Sequence, residues 1–326
     1  MASSLPVIAG LPVRHPGVSV IIPCYRQAHF LAQAIDSVLA QDAGAIEIVV
    51  INDGSPDDTA QVAARYGDRI RYHAQANQGL SPARNAGLRL ATKEFLHFLD
   101  SDDFVRPGFY KKLSAVLAQR PEAVAAYSGF QWVDAAGRFV GELPPEPETA
   151  DWFHRLLESN PWPPNALLVR ATALAEAGSE PFEVKLRSCE DWDLWLRLAM
   201  RGGKFAAANE FVGVCYRKHP QSMSTNPWVM LETGMSVITQ NANRHGNCAL
   251  CRVALTRGRE HMRRLCFEEK MIPQLGRLLE NGQVFRHLRG CARALSYDPA
   301  SAWRGLMLLR HQKRRALAGL NPSENK

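Results

Sequence analysis

The chain has 326 residues, 46% hydrophobic and 22% charged, so it has ample material for a globular core in one large domain with an extension or in two modest domains. The formal charge of +7 is uneven: Pro227 to Lys326 holds 17 Lys and Arg against 7 Asp and Glu, and residues 1–226 hold 22 against 25. Two zones are therefore expected, the second one basic, while seven irregularly spaced cysteines exclude a disulfide framework and favour a reducing compartment.

The opening MASSLPVIAGLPVRHPG lacks the basic-then-apolar order of a signal peptide. No stretch approaches the roughly 18 apolar residues of a membrane span. A cytoplasmic protein is expected, with peripheral contact at the inner face of a membrane left open. Val18 to Ile22 (VSVII) is a continuous β-branched run, as in a strand buried on both faces. Ala28 to Ala40 has a helical pattern, with Leu31, Ile35, Val38 and Leu39 on one face. Ile46 to Ile51 is the next strand, Asp57 to Tyr66 a helix, Ile70 to His73 a short strand, Leu80 to Ala91 a helix and Phe95 to Leu99 another strand. This alternation predicts an α/β fold with a mostly parallel central sheet flanked by helices.

Gly141 to Thr149 (GELPPEPET) reads as a surface loop. A helix follows near Trp152 to Glu158, then a strand over Asn165 to Arg170, an aromatic-rich helix over Cys189 to Met200, and one or two strands within Phe205 to Tyr216. From Pro227 onward only helical patterns occur. The expected division is a tail over 1–17, an α/β domain over 18–226 and an all-helical basic extension over 227–326. There is no internal repeat.

Ligands of such sheets sit at the carboxyl ends of the strands. Three predicted strands end in polar or turn clusters: Pro23-Cys24-Tyr25, Asn52-Asp53-Gly54-Ser55 and Asp100-Ser101-Asp102-Asp103. Carboxylates at i and i+2 after a buried strand suit a hard cation such as Mg²⁺ or Mn²⁺. An acidic helix N-cap is the competing account. Asp53 suits a ribose hydroxyl or a base edge, although an Asp-Gly turn explains it as well. Glu190-Asp191 opens the aromatic helix, where Trp192, Trp195 and Leu196 share one apolar face and Asp191 can face the other side. A carboxylate there can act as general base, or merely complement the helix dipole. His219 could ligate a cation, and Arg217 and Lys218 could neutralise phosphate. Arg84 lies about a turn inside a helix whose N-terminus suits phosphate; a capped surface helix is the alternative. His245-x₂-Cys248-x₂-Cys251, with His261 and Cys266 beyond, lacks the regular second pair of structural zinc. These cysteines read as buried helical residues.

Taken jointly, VSVIIPCYRQAHFLAQAIDSVLAQ, IEIVVINDGSPDDT, NQGLSPARNAGL, FLHFLDSDD, CEDWDLWLRL and YRKHPQSMS resemble the family 2 glycosyltransferases in order and approximate spacing, over about Val18 to Ser224. The resemblance implies a GT-A fold and an inverting transfer from a nucleotide-sugar donor, with a UDP-sugar expected, to a saccharide or lipid-linked hydroxyl acceptor. It implies that Pro23, Tyr25 and Asp53 line the nucleotide pocket, that Arg84, Asp100 and Ser101 meet the donor, and that Asp100, Asp102 and His219 hold Mn²⁺ or Mg²⁺. Of the two aspartates the resemblance makes Asp102 the principal ligand, with Asp103 in support, and Asp191 matches the general base. Bacterial surface polysaccharide or glycolipid synthesis is the implied setting. A nucleotidyltransferase is the alternative enzyme, but VIIPCYRQAHF holds no Gly-rich phosphate loop; a nucleotide-sugar-binding scaffold would lack the acidic base. Met262 to Leu279 and Trp303 to Leu320 read as basic amphipathic helices, suited to an anionic membrane surface or to packing on the core. Nucleic acid is not an expected partner, since no aromatics interleave with the basic residues.

Overall fold

A computed structural model describes residues 14–271. The chain divides into two compact units, 1–220 and 221–326. The expected boundary lay at 226/227. The earlier division follows from the turn before the first long helix of the second unit: the Lys270 ammonium donates to the Ser224 carbonyl at 3.0 Å, tying that turn to the helices that follow it.

The first unit begins with β1 (His15–Cys24), α1 (Ala28–Leu39), β2 (Ile46–Asp53), α2 (Thr59–Ala64), β3 (Arg71–Gln75), α3 (Leu80–Leu90) and β4 (Lys93–Phe98). It continues through β5 (Phe104–Val105), α4 (Phe109–Gln119), β6 (Ala123–Val133), β7 (Phe139–Leu143), α5 (Trp152–Glu158), β8 (Leu167–Arg170), α6 (Ala171–Glu176), α7 (Glu190–Met200) and β9 (Lys204–Arg217). The strands form one sheet in the order β3-β2-β1-β4-β8-β6-β9-β5, with β7 on β6.

The half built from β1 to β4 is parallel, as the alternating pattern predicts. Beyond β4 the sheet is mixed: β8 runs antiparallel to both β4 and β6, β7 to β6 and β5 to β9, while β6 and β9 are parallel. Hydrophobic patterning could not show this, because a strand buried on both faces looks alike in either orientation. The loop expected from Gly141 begins as strand β7, whose exposed Phe139, Val140 and Leu143 give no alternating pattern. One strand, β9, fills the 204–217 segment.

The core explains the arrangement. Val20, Ile21 and Ile22 of β1 and Val49, Val50 and Ile51 of β2 are fully buried. Ala83 and Ala86 of α3 lie on Val49 and Ile51. At Gly87 a Cβ would fall 2.3 Å from Ile21 Cγ2, so only glycine lets α3 approach β1 this closely. On α1, Leu31, Ile35 and Val38 are buried as expected, but Leu39 is exposed and Ala34 takes the inner position. Helix α7 is buried almost all round, its acidic residues included. The single apolar face expected for it is therefore too narrow. Tyr127 of β6, Trp152 of α5, Trp162 and Phe205 of β9 pack as one aromatic group.

The second unit holds α8 (Pro227–Arg244), α9 (Ala249–Arg263) and a π-helical segment Arg264–Met271. The expected helix over 303–320, and the part of that over 262–279 from residue 272 on, lie outside the described residues. Among the described residues no helix is long and apolar enough to cross a membrane.

Candidate active site

Because β1, β2 and β4 are parallel neighbours, their carboxyl ends lie at one edge of the sheet, and each delivers polar side chains there. Pro23 is buried within β1 and Tyr25 is exposed just beyond it, with the Arg26 guanidinium 5.3 Å from its ring centroid. At the end of β2 the Asp53 carboxylate gathers the loop that leads into α3. Its Oδ1 accepts from Gln75 Nε2 at 2.8 Å and from the Gln78 amide at 3.0 Å, and its Oδ2 accepts from the Gly79 amide at 2.8 Å. Asn77 Nδ2 donates to the Asp53 carbonyl at 3.0 Å. Asp53 is thus more than an Asp-Gly turn: it fixes the loop that opens α3.

Arg84 excludes the surface-helix alternative, being 1% exposed. Its guanidinium bridges two strand-end and helix-end acids: Nη2 lies 2.6 Å from Asp100 Oδ1, and Nη1 binds Glu190 Oε1. Burial alone would lower the Arg84 pKa, but Asp100 and Glu190 outweigh it and raise it. Burial also pushes the Asp100 carboxyl up against the opposing pull of Arg84. The fork geometry of guanidinium suits such a two-acid bridge.

The four residues 100–103 divide among three sets of partners, with Ser101 and Asp102 sharing Gln27. Asp102 Oδ2 lies 2.8 Å from His219 Nε2 and accepts from Gln27 Nε2 at 3.2 Å. Ser101 donates to Gln27 Oε1 at 2.6 Å. Asp100 turns to Arg84. Asp103 turns inward: it accepts from Asn165 Nδ2 at 2.6 Å and from the Arg217 amide at 2.7 Å. Burial, then the charges of Asp102 and Asp100, drive its pKa well up. Asp103 therefore braces the turn rather than joining a cation site. Arg217 is likewise structural. Its guanidinium donates to the carbonyls of Asp102 at 2.7 Å and Ala135 at 2.9 Å and to Gln33 Oε1 at 2.6 Å. The phosphate role considered for it does not fit that geometry. Lys218 lies over the Trp132 ring at 4.1 Å. His219 packs on Phe30, with ring centroids 5.2 Å apart.

Asp191 sits in the first turn of α7, directly after Glu190. That turn starts from Cys189, whose φ of 58° is a left-handed conformation. It is held by the Trp192 indole, which donates to the Leu156 carbonyl of α5 at 2.7 Å. Asn160, just after α5, donates to Asp191 Oδ2 at 3.1 Å. Burial first, and the charge of Glu190 second, push the Asp191 carboxyl up to about 7, against Arg84, the Trp192 amide and Asn160. A carboxylate poised near neutrality is what a general base requires.

Hydrogen bonds and ion pairs thus join Asp100, Arg84, Glu190 and, by adjacency, Asp191, while Gln27 joins Ser101 to Asp102 and so to His219. Sequence reasoning missed several supports. Gln27 and Asn160 carry no motif signal, and Glu190 was visible only as half of an acidic pair. In the sequence Asp57 shows only as a helix start. It accepts from the Ala28 amide at 2.9 Å and from the Ser55 hydroxyl, linking the exits of β1 and β2. Burial would raise its pKa, but its hydrogen bonds to Ser55, Thr59 and Ala28 hold it at about 2.

Residues 19–157 match the family model described as glycosyl transferase family 2. A glycosyltransferase of Rickettsia bellii (strain RML369-C) is 32% identical over 196 residues, covering 56% of this chain and 27% of that protein. The glycosyltransferase EpsJ of Bacillus subtilis (strain 168) is 41% identical over 102 residues, 30% of each chain. The chain spans less than two thirds of the length of these relatives. Among solved structures, S. aureus TarS 1–349 in complex with UDP-GlcNAc superposes with a TM-score of 0.63 at 20% identity, covering 92% of both chains. The same protein with UDP gives 0.60 at 19% identity, covering 92% of this chain and 91% of that one. At such identities the likeness establishes the fold, which is of GT-A type.

Proposed function

We propose, from the match of residues 19–157 to the model of glycosyl transferase family 2, that the protein transfers a sugar from a nucleoside-diphosphate donor to a hydroxyl acceptor with inversion at the anomeric carbon. The observation that carries this reading is Asp191, a buried carboxylate raised to about 7 beside the Arg84 bridge between Asp100 and Glu190. Asp191 accepts the proton of the acceptor hydroxyl as that oxygen forms its bond to the anomeric carbon. The bond from that carbon to the diphosphate breaks on the opposite face, and its electron pair leaves with the diphosphate. A single displacement of this kind inverts the configuration.

Asp53 and the loop it holds, with Pro23 and Tyr25, form the nucleotide side of the site. The Asp102 carboxylate and the His219 imidazole meet at 2.8 Å, an oxygen–nitrogen pair that suits Mn²⁺ or Mg²⁺. Asp100 faces Arg84 and fits better as the anchor of that cation than as a ligand. When bound, the metal would neutralise charge on the diphosphate. A UDP-sugar is the proposed donor, in keeping with the UDP and UDP-GlcNAc bound to TarS. The proposed acceptor is a saccharide or a lipid-linked sugar of a bacterial surface polysaccharide or glycolipid, and the proposed setting is the cytoplasmic side of a membrane.

The test is product analysis with labelled nucleotide-sugars, guided by a thermal-shift donor screen with Mn²⁺ and Mg²⁺. Transfer should need Asp191: Asp191→Asn should lower turnover by about 10²-fold or more while donor still binds. Near-normal turnover would remove the base assignment. Asp102→Ala should weaken donor binding in the presence of metal; an unchanged metal requirement would remove that ligand.

A further inference from the structure

The second unit carries a cluster that glycosyl transfer does not use. Helix α8 ends at Arg244, with His245 as its C-cap. Gly246 (φ 83°) and Asn247 (φ 49°) are both left-handed, and the Asn247 amide donates back to the Ala242 carbonyl at 2.9 Å. Two successive left-handed residues reverse the chain tightly, so that Cys248 becomes the N-cap of α9. The reversal brings the His245 imidazole against the first turn of α9, where Cys248 and Cys251 share one side.

The geometry is that of three convergent soft donors. Cys251 Sγ lies 3.2 Å from His245 Nδ1 and 3.5 Å from Cys248 Sγ. The three ligand atoms all fall within 4.8 Å of one another. A tetrahedral zinc with bonds of about 2.3 Å to sulfur and about 2.1 Å to nitrogen separates its sulfurs by about 3.8 Å and sulfur from nitrogen by about 3.6 Å. The two spacings at Cys251 lie within a few tenths of an ångström of those values. A disulfide needs its sulfurs at about 2.05 Å, far closer than they stand.

The local field also suits thiolates. The Cys251 amide donates to Cys248 Sγ at 3.3 Å, an N–H···S contact of the kind that stabilises a metal-bound thiolate. Both sulfurs sit in the first turn of a 15-residue helix, whose N-terminal dipole favours negative charge. The sequence spacing alone favours buried helical cysteines, but Cys248 is a half-buried cap, and the α8–α9 turn aims all three donors at one point.

We propose that His245, Cys248 and Cys251 form a zinc-binding site that staples the corner between α8 and α9. The three residues supply three of zinc's four ligands. At neutral pH binding converts two thiols to thiolates and releases two protons, and no redox change is involved.

The test uses the full chain purified under reducing conditions without chelator. About one zinc per chain should be found by elemental analysis, and a thiol-reactive mercurial should release it. Co²⁺ substitution should give visible bands of tetrahedral intensity together with thiolate charge-transfer absorption in the near ultraviolet. Cys248→Ser, Cys251→Ser and His245→Gln should each lower metal affinity at least about tenfold. Cys266→Ser, which removes another buried thiol of the same unit, should retain the metal. Three results would each overturn the site: no zinc as purified or after equimolar addition, retention of full affinity in the three ligand variants, or a Cys248–Cys251 disulfide as the stable form under reducing conditions. The Co²⁺ spectrum of the unsubstituted chain keeps the proposal falsifiable even where a variant fails to fold.

Discussion

At the scale of single residues the site rests on one arginine and the acids that surround it. Arg84, itself buried, neutralises the buried Glu190 and the partly exposed Asp100. Removing it by Arg84→Ala would leave the buried Glu190 carboxylate, and the partly exposed Asp100, without their cation, a loss of about 3 kcal/mol. Chemical denaturation should show that loss as a lower midpoint with an unchanged slope; a loss below about 1 kcal/mol would mean the bridge contributes little. Asp191 makes a second prediction, and its sign follows from the raised pKa. The carboxyl ionises near 3.8 when unfolded and near 7 when folded, so the folded state holds the extra proton between those values. Stability from this group is therefore full at low pH and declines as pH rises toward 7. Asp191→Asn removes that decline, and the variant should exceed the parent in stability at pH 8 by something of order 1 kcal/mol, measured by the same denaturation. Catalysis runs the other way, because the base must be ionised: kcat/KM should rise with pH along a limb centred near 7. A profile flat from pH 5.5 to 8 would separate Asp191 from the chemistry.

At the scale of elements, what could be read from the sequence was the periodic part. The β-branched runs of β1 and β2 and the helix between them stand where their patterns put them, because burial on both faces demands continuous apolar residues. The directions of side chains after the strands could not be read. Asp100, Asp102 and Asp103 are chemically alike, yet one faces Arg84, one His219 and one the interior, since consecutive residues of a turn diverge and only tertiary partners say where each leads. Asp53 was legible as a strand-end acid, but its grip on the β3–α3 loop depends on Gly79 and Gln78, some 25 residues away in sequence. That loop also constrains Gly54: its φ is +65°, and a Cβ would meet the Asn77 amide nitrogen at 2.6 Å. Gly54→Ala should destabilise by about 1–3 kcal/mol and weaken donor binding, read by thermal shift and by KM for the donor. Helix α7 offers a cleaner separation. Trp192→Phe keeps the ring packing but removes the indole donor to the Leu156 carbonyl that fixes the first turn. kcat should fall several-fold with donor KM little changed; a fall in donor affinity alone would mean that α7 serves the nucleotide rather than the acceptor.

At the scale of the whole molecule, the two units differ in what the sequence can say of them. The first is dominated by a sheet whose long-range hydrogen bonds explain nearly every site residue. The second carries the charge: 17 Lys and Arg against 7 Asp and Glu from Pro227 on. Arg304, Arg310, Lys313, Arg314 and Arg315 fall among Leu306, Met307, Leu309 and Leu317, a basic amphipathic pattern over residues outside those the structure describes. A basic residue held near an anionic bilayer contributes on the order of 1 kcal/mol, so five of them, with apolar side chains beside them, would suffice for reversible attachment. A lipid-linked acceptor would make such attachment useful, because it confines enzyme and acceptor to one surface. The full chain should therefore float with vesicles of phosphatidylcholine containing about one third phosphatidylglycerol. It should detach as ionic strength rises and the Debye length shortens. A chain ending at Ala300 should stay in solution while keeping its activity on a soluble acceptor. If the shortened chain floats as well as the full one, residues 301–326 are not what attaches the protein to the bilayer.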